Sequence, residues 1–251
     1  MSWTGVLDEA SFAALHELRS DGSKDPLHGE DIEIDGQRAY LVLPPGAKAP
    51  LPAVLVIHEW WGLNDHIRHW ADRLAADGYA ALAVDLYRGQ TATSREEATA
   101  LMRGVDETEA RTTLLRAHRF LAEDPRVRAT HRGVVGWCFG GGWSLQLALA
   151  AADLDAAVVY YGRLVTDPIA LRAIHAPMLG VFGNRDQGIP KASVDAFAEA
   201  MNLAGRDLRL LRFDADHAFA NPSGARYDAE NAAAAWTEVR AFFAAHLKPN
   251  S

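Results

Sequence analysis

Gly136-Trp137-Cys138-Phe139-Gly140-Gly141-Gly142 decides the reading of this chain. Val134 and Val135 before it read as a buried strand, and Ser144 to Ala151 after it as a helix. A strand that turns at once into a helix holds the residue at the bend in a strained backbone conformation. Glycines two positions to either side relieve the clash with the neighbouring strand and helix. The residue so displayed is Cys138, a thiol above a helix N-terminus, where the peptide dipoles favour negative charge. The same cysteine, taken alone, could be a small buried hydrophobe beside a glycine-rich turn.

A nucleophile needs a base and a group to orient it. Val181-Phe-Gly-Asn-Arg-Asp186 places Asp186 just past the end of a strand, and Phe213-Asp-Ala-Asp-His217 does the same for His217. The order nucleophile, acid, histidine suits an elbow of this kind. Asp214 and Asp216 are rival acids, but lie too close in sequence to His217 for the usual geometry. A structural reading remains beside the catalytic one: Asp186 as a turn cap, His217 as a solvent-facing loop residue.

Outward from these loops, periodicity gives the architecture. Asp31–Ile34 and Gln37–Leu43 alternate around Asp35-Gly36, a strong hairpin signal. The short apolar run at 53–57 reads as a strand covered on both faces and 79–84 as the next buried strand, while 133–136, 156–161, 177–183 and 208–213 read as further strands. Helical spacing follows at 67–75, 95–103, 107–122, 140–151, 190–204 and 228–246. Such alternation after an antiparallel opening means a mostly parallel sheet with helices on both faces. Residues 30–251 form one domain in this reading, and residues 1–29 a helical arm, with Asp8 capping a helix to Arg19 that carries Phe12, Leu15 and Leu18.

Composition narrows the function. At 49% hydrophobic and 23% charged residues, the 251-residue chain can build a large core. A net charge of −8 without a basic stripe argues against nucleic-acid partners. No apolar run approaches the roughly 20 residues of a membrane span. No signal peptide is visible, and a single cysteine fits a reducing compartment, so a cytoplasmic location is expected. His58, His66 and His69, with Glu59 and Asp65, lack metal-site spacing, and Gly140-Gly141-Gly142 lacks the lysine of a phosphate loop. Neither metal nor cofactor is expected. Subunit number is left open.

With these segments in hand, the sequence resembles the dienelactone hydrolase family of α/β-hydrolases from about Gly29 to Leu247. The likeness is carried by His58-Glu-Trp-Trp-Gly-Leu63, Val84-Asp-Leu-Tyr87, Gly136 to Gly141, Tyr160-Tyr-Gly162, Gly183-Asn-Arg-Asp186 and His217-Ala-Phe-Ala220. It implies an α/β-hydrolase fold and hydrolysis of a small ester or lactone by Cys138, His217 and Asp186. It also implies that Glu59 holds the resting thiol until substrate frees it, because a carboxylate beside a thiol opposes ionisation. The amides of Trp60 and Phe139 become the expected oxyanion hole, and Trp61, Tyr87, Arg88 and Tyr161 the expected substrate contacts. The pattern departs from the family where substrate-carboxylate arginines belong. Arg88 is shifted by one, with Gly89 at the family position, and Asn221 stands at the other, so dienelactone itself is a poor fit. Two rival functions are weaker. A non-catalytic small-molecule binder needs no complete trio, and a redox sensor would want a second cysteine.

Overall fold

A computed structural model describes residues 26–248. The helix expected over 8–19 lies outside these residues. Eight strands form one sheet in the order β1-β2-β4-β3-β5-β6-β7-β8. The expected hairpin joins β1 (Glu30–Ile34) to β2 (Gln37–Val42). Its turn residues, Asp35 and Gly36, both adopt positive φ, 50° and 79°, as a tight two-residue turn requires.

β2 runs antiparallel to β4 (Ala80–Val84), and from there the ladder is parallel through β3 (Ala53–Ile57), β5 (Arg132–Trp137), β6 (Ala156–Tyr160), β7 (Met178–Gly183) and β8 (Leu208–Phe213). Strands β3, β4, β6 and β7 are buried throughout, as their unbroken apolar runs require. Parallel strands need crossovers, and helices supply them: α1 (Asp65–Ala76), α2 (Arg95–Arg103), α3 (Glu107–Glu123), α4 (Phe139–Ala150), α5 (Pro168–Leu171) and α6 (Lys191–Ala204), while α7 (Ala229–Leu247) follows β8. α5 is one turn, capped by Asp167 with Pro168 behind it, and too short to show a period. Pro190, expected inside the first turn of α6, is its N-cap.

Both edge strands are tethered by charge. Glu30 and Asp31 of β1 pair with Arg126 and Arg68, and Arg209 and Arg212 of β8 pair with Glu238 and Asp195. The core links α1, β5 and α7 through Trp70, whose ring lies 4.5 Å from that of Trp137 and 5.0 Å from that of Trp236. The buried Arg73 guanidinium lies over both Trp70 and Trp236, at 5.2 and 4.6 Å. No helix among the described residues is long and apolar enough to cross a membrane.

Candidate functional site

The parallel ladder brings the carboxyl ends of β3, β5, β7 and β8 to one rim, and the loops leaving them carry the site. At β5 the ladder continues into the bend, where the Cys138 amide donates to Tyr160 O at 3.1 Å. Cys138 then takes φ 55° and ψ −114°, a region costly for any residue with a Cβ. The flanking glycines are steric requirements. A Cβ on Gly136 would lie 2.2 Å from Gly140 O, and one on Gly140 would lie 2.2 Å from Ile57 O.

β7 and β8 extend their pairing in the same way. Asn184 N donates to Phe213 O at 2.8 Å and Arg185 N to Ala215 O at 3.0 Å, so the loops bearing Asp186 and His217 leave the sheet together. His217 Nδ1 donates to Asp186 Oδ2 at 2.7 Å. Asp186 Oδ1 accepts from the amides of Gly188 and Ile189 at 2.7 and 2.9 Å. Burial, at 3% exposure, pushes this carboxyl's pKa upward, but the hydrogen bonds and charge of its partners outweigh that and hold it below the ordinary range. On its other side His217 feels the Cys138 side chain electrostatically. Burial opposes a charged imidazole. The bond to Asp186, then the influence of the Cys138 side chain, override it and raise the His217 pKa to about 10. Thus the structure pairs His217 with Asp186 by a hydrogen bond, and the charge of the Cys138 side chain acts on the same imidazole.

Glu59 follows β3 and is also buried. Its side chain accepts from Asn221 Nδ2 at 2.5 Å. Burial raises its pKa to about 7, against the lowering effects of the His217 charge, the Asn221 hydrogen bond and Arg226. The resemblance gives Glu59 the task of holding the thiol. Here the carboxylate is engaged by Asn221. Next to it, His58 is buried and structural: Nδ1 donates to Glu59 O at 2.6 Å and Nε2 accepts from Leu86 N at 3.1 Å. The imidazole ties the ends of β3 and β4 together, and burial holds its pKa below the ordinary value.

The amides of Trp60 and Phe139 donate to no acceptor among the described residues, and both belong to segments beside Cys138. The Tyr161 ring lies 5.1 Å from that of His217. Tyr87 packs on His58 and Phe139 at 4.6 and 5.4 Å, and Trp61 on Trp60 at 5.0 Å. Arg88 is directed elsewhere. With φ at 54°, its side chain is largely exposed and its Nε donates to Glu109 Oε1 of α3 at 3.1 Å. It borders a separate groove of about 220 Å³ between the Asp85–Gln90 loop, α2 and α3, whose walls contain neither Cys138 nor His217.

Two contributors to the site escape sequence reasoning. Asn221 is visible there only as a missing arginine, yet it holds Glu59 across 162 positions. Arg226, whose charge reaches Glu59, stands on the loop between His217 and α7 with no motif to mark it.

Comparison with known proteins agrees with this geometry. The model of the family described as "Dienelactone hydrolase family" matches residues 37–247. A protein of Methylorubrum extorquens named "Putative carboxymethylenebutenolidase" is 32% identical over 220 residues, covering 82% of this chain and 75% of its own. One of the same name from Escherichia coli is 30% identical over 223 residues, covering 83% and 82%. Among solved structures, one titled "Putative Dienelactone Hydrolase" from Klebsiella pneumoniae superposes with a TM-score of 0.81 at 28% identity, covering 88% of this chain and 99% of that one. An acylaminoacyl peptidase from Pyrococcus horikoshii, at 14% identity and a TM-score of 0.70, covers 88% and 42%, and shares the fold alone.

Proposed function

Since this chain belongs to the dienelactone hydrolase family, we propose that it hydrolyses a small carboxylic ester or lactone through a Cys138-His217-Asp186 triad and an acyl-thioester intermediate. The observation that carries this reading is the Asp186–His217 hydrogen bond at 2.7 Å, beside a cysteine held on a strained elbow.

The mechanism follows from the parts. Cys138 sulfur attacks the carbonyl carbon while His217 carries the proton. The oxyanion that forms is held by the amides of Trp60 and Phe139, each donor contributing about 3 kcal/mol of transition-state stabilisation. Collapse expels the alcohol, which takes its proton from His217. Water, deprotonated by His217, then attacks the thioester carbonyl, and acid and thiol are released. Asp186 keeps the imidazole in the tautomer that presents Nε2 to the sulfur. Trp61, Tyr87 and Tyr161 supply an aromatic wall for the substrate, whereas the Arg88–Glu109 pair points away from a role for Arg88 in binding.

The test is hydrolysis of short p-nitrophenyl esters and simple lactones by the wild type and Cys138→Ala. The variant is expected to lose at least about a thousandfold in kcat/KM, and intact mass spectrometry of quenched wild type should capture the acyl adduct. An undiminished Cys138→Ala enzyme overturns the proposal. A phosphotriester belongs in the same panel. A metagenomic protein titled "Dienelactone Hydrolase-like Promiscuous Phospotriesterase" has a TM-score of 0.80 to this chain at 26% identity, covering 87% and 98%.

A further inference from the structure

Three hydrogen bonds fix the orientation of Asn221. Its Oδ1 accepts from the backbone amide of Ser223 at 2.9 Å and from the Ser223 hydroxyl at 2.7 Å. With the oxygen so committed, the amide nitrogen is the end left to face Glu59, and Nδ2 donates to Oε2 at 2.5 Å. The backbone is fixed too. Asn221 N donates to Ala218 O at 3.1 Å, and Gly224 N returns to Asn221 O at 3.0 Å. A short donor held by its own turn is thus aimed at the one buried carboxylate in the site besides Asp186.

Glu59 has competing claims on it. His217 and Arg226 bring charge from the loop that carries Asn221, and Tyr161 faces it from the end of β6. Tyr161 also feels the charge of Cys138, and its ring lies 5.1 Å from that of His217. A carboxylate free to approach the sulfur would disfavour the thiolate by like charge and would compete with His217 for the thiol proton. The hydrogen bond to Asn221 removes that competition.

We propose that Asn221 is a positioning residue that ties Glu59 off from Cys138, so that the sulfur is left to His217 in the enzyme without substrate. This rests on the reading of Cys138 as nucleophile. It alters what the resemblance implies for this chain: activation does not wait for a ligand to displace Glu59, because Asn221 has displaced it already. The same substitution that removes a cationic handle for a substrate carboxylate supplies the donor. The site therefore suits uncharged esters and lactones.

The experiment is alkylation of the unliganded protein by iodoacetamide, followed by intact mass from pH 5.5 to 9, with thermal melts to confirm folding. Wild type is expected to be alkylated at Cys138 without substrate. Asn221→Leu should slow this at pH 7.5 by at least about tenfold, the scale of a hydrogen bond to a charged group. Asn221→Gln, which keeps a donor, should restore the rate to within about threefold on the same scale. In a Glu59→Gln background, Asn221→Leu should change the rate by less than about twofold, since the effect passes through Glu59. Asn221→Asp keeps the Ser223 contacts and guards against a folding defect. It should slow alkylation most at high pH, where both carboxylates ionise and repel, and least at pH 5.5, where they share a proton. An unchanged rate in Asn221→Leu, or an equal slowing with and without Glu59, overturns the inference. Ester turnover by Cys138→Ala would instead overturn the triad itself, so the two failures are separable.

Discussion

At the scale of single residues, the site sets two carboxyls apart by their partners. Asp186 has three hydrogen bonds to ionisable or amide donors and is held below the ordinary carboxylate range, while Glu59, equally enclosed, rises to about 7. The sign of the second shift has a consequence for stability. Because the folded protein favours neutral Glu59, the stabilising contribution is present in full below about 4.5 and is lost as pH rises through about 7. Glu59→Gln stays neutral at every pH. Its unfolding free energy should exceed that of the wild type at pH 8 by about 3 kcal/mol, and converge with it at pH 4.5. Equal differences at both pH values would refute this. Residues of this kind differ in how far the sequence reveals them. Cys138, Asp186 and His217 follow from spacing, because each sits a fixed distance beyond an apolar run. Glu59 is suggested only by resemblance. Asn221 reads as an absence, because its contact joins residues 162 apart and depends on which end of an amide Ser223 holds. Arg88 misleads because motif position says nothing of the side chain's direction after a positive-φ turn.

Among the elements, the β5–α4 junction is the least tolerant. Strand and helix meet so closely that residue 136 touches the carbonyl of residue 140. Gly136→Ala would press a methyl group onto backbone that cannot yield without moving the nucleophile. It should cost about 3 kcal/mol in urea unfolding, and the folded fraction should lose activity out of proportion to its population. Retention of wild-type kcat by folded Gly136→Ala would show that the elbow is less exacting. The elements themselves are legible in outline, since buried strands and amphipathic helices carry their periods openly. Their ends shift by a residue or so where caps decide them, as at Pro190. α5 is missed because four residues cannot display a helical repeat.

For the whole molecule, the strand order is what periodicity does not supply. β3 lies between β4 and β5, so neighbours in sequence are not always neighbours in the ladder, and only long-range pairing selects that arrangement. The distant parts are then joined by the Trp137–Trp70–Trp236 stack with Arg73 over Trp70 and Trp236, which ties the last helix to the strand that presents the thiol. Trp236→Ala should destabilise the fold by about 3–5 kcal/mol in chemical denaturation, the range for deleting a buried aromatic. Turnover well below the melting transition should stay within about threefold of wild type, because the truncated ring packs on Trp70 and not on Trp137, the neighbour of Cys138. A loss under 1 kcal/mol would show that the stack is dispensable.

The charged tethers on β1 and β8 bear on behaviour in concentrated solution. An open sheet presents two rows of backbone groups that could recruit a matching row from another copy, the first step toward fibrous aggregation. Here any such newcomer must dislodge carboxylates and guanidiniums already bound to neighbouring parts of the molecule. Each flank therefore guards itself, and the rim that carries the chemistry stays free to change without exposing the sheet to misassembly.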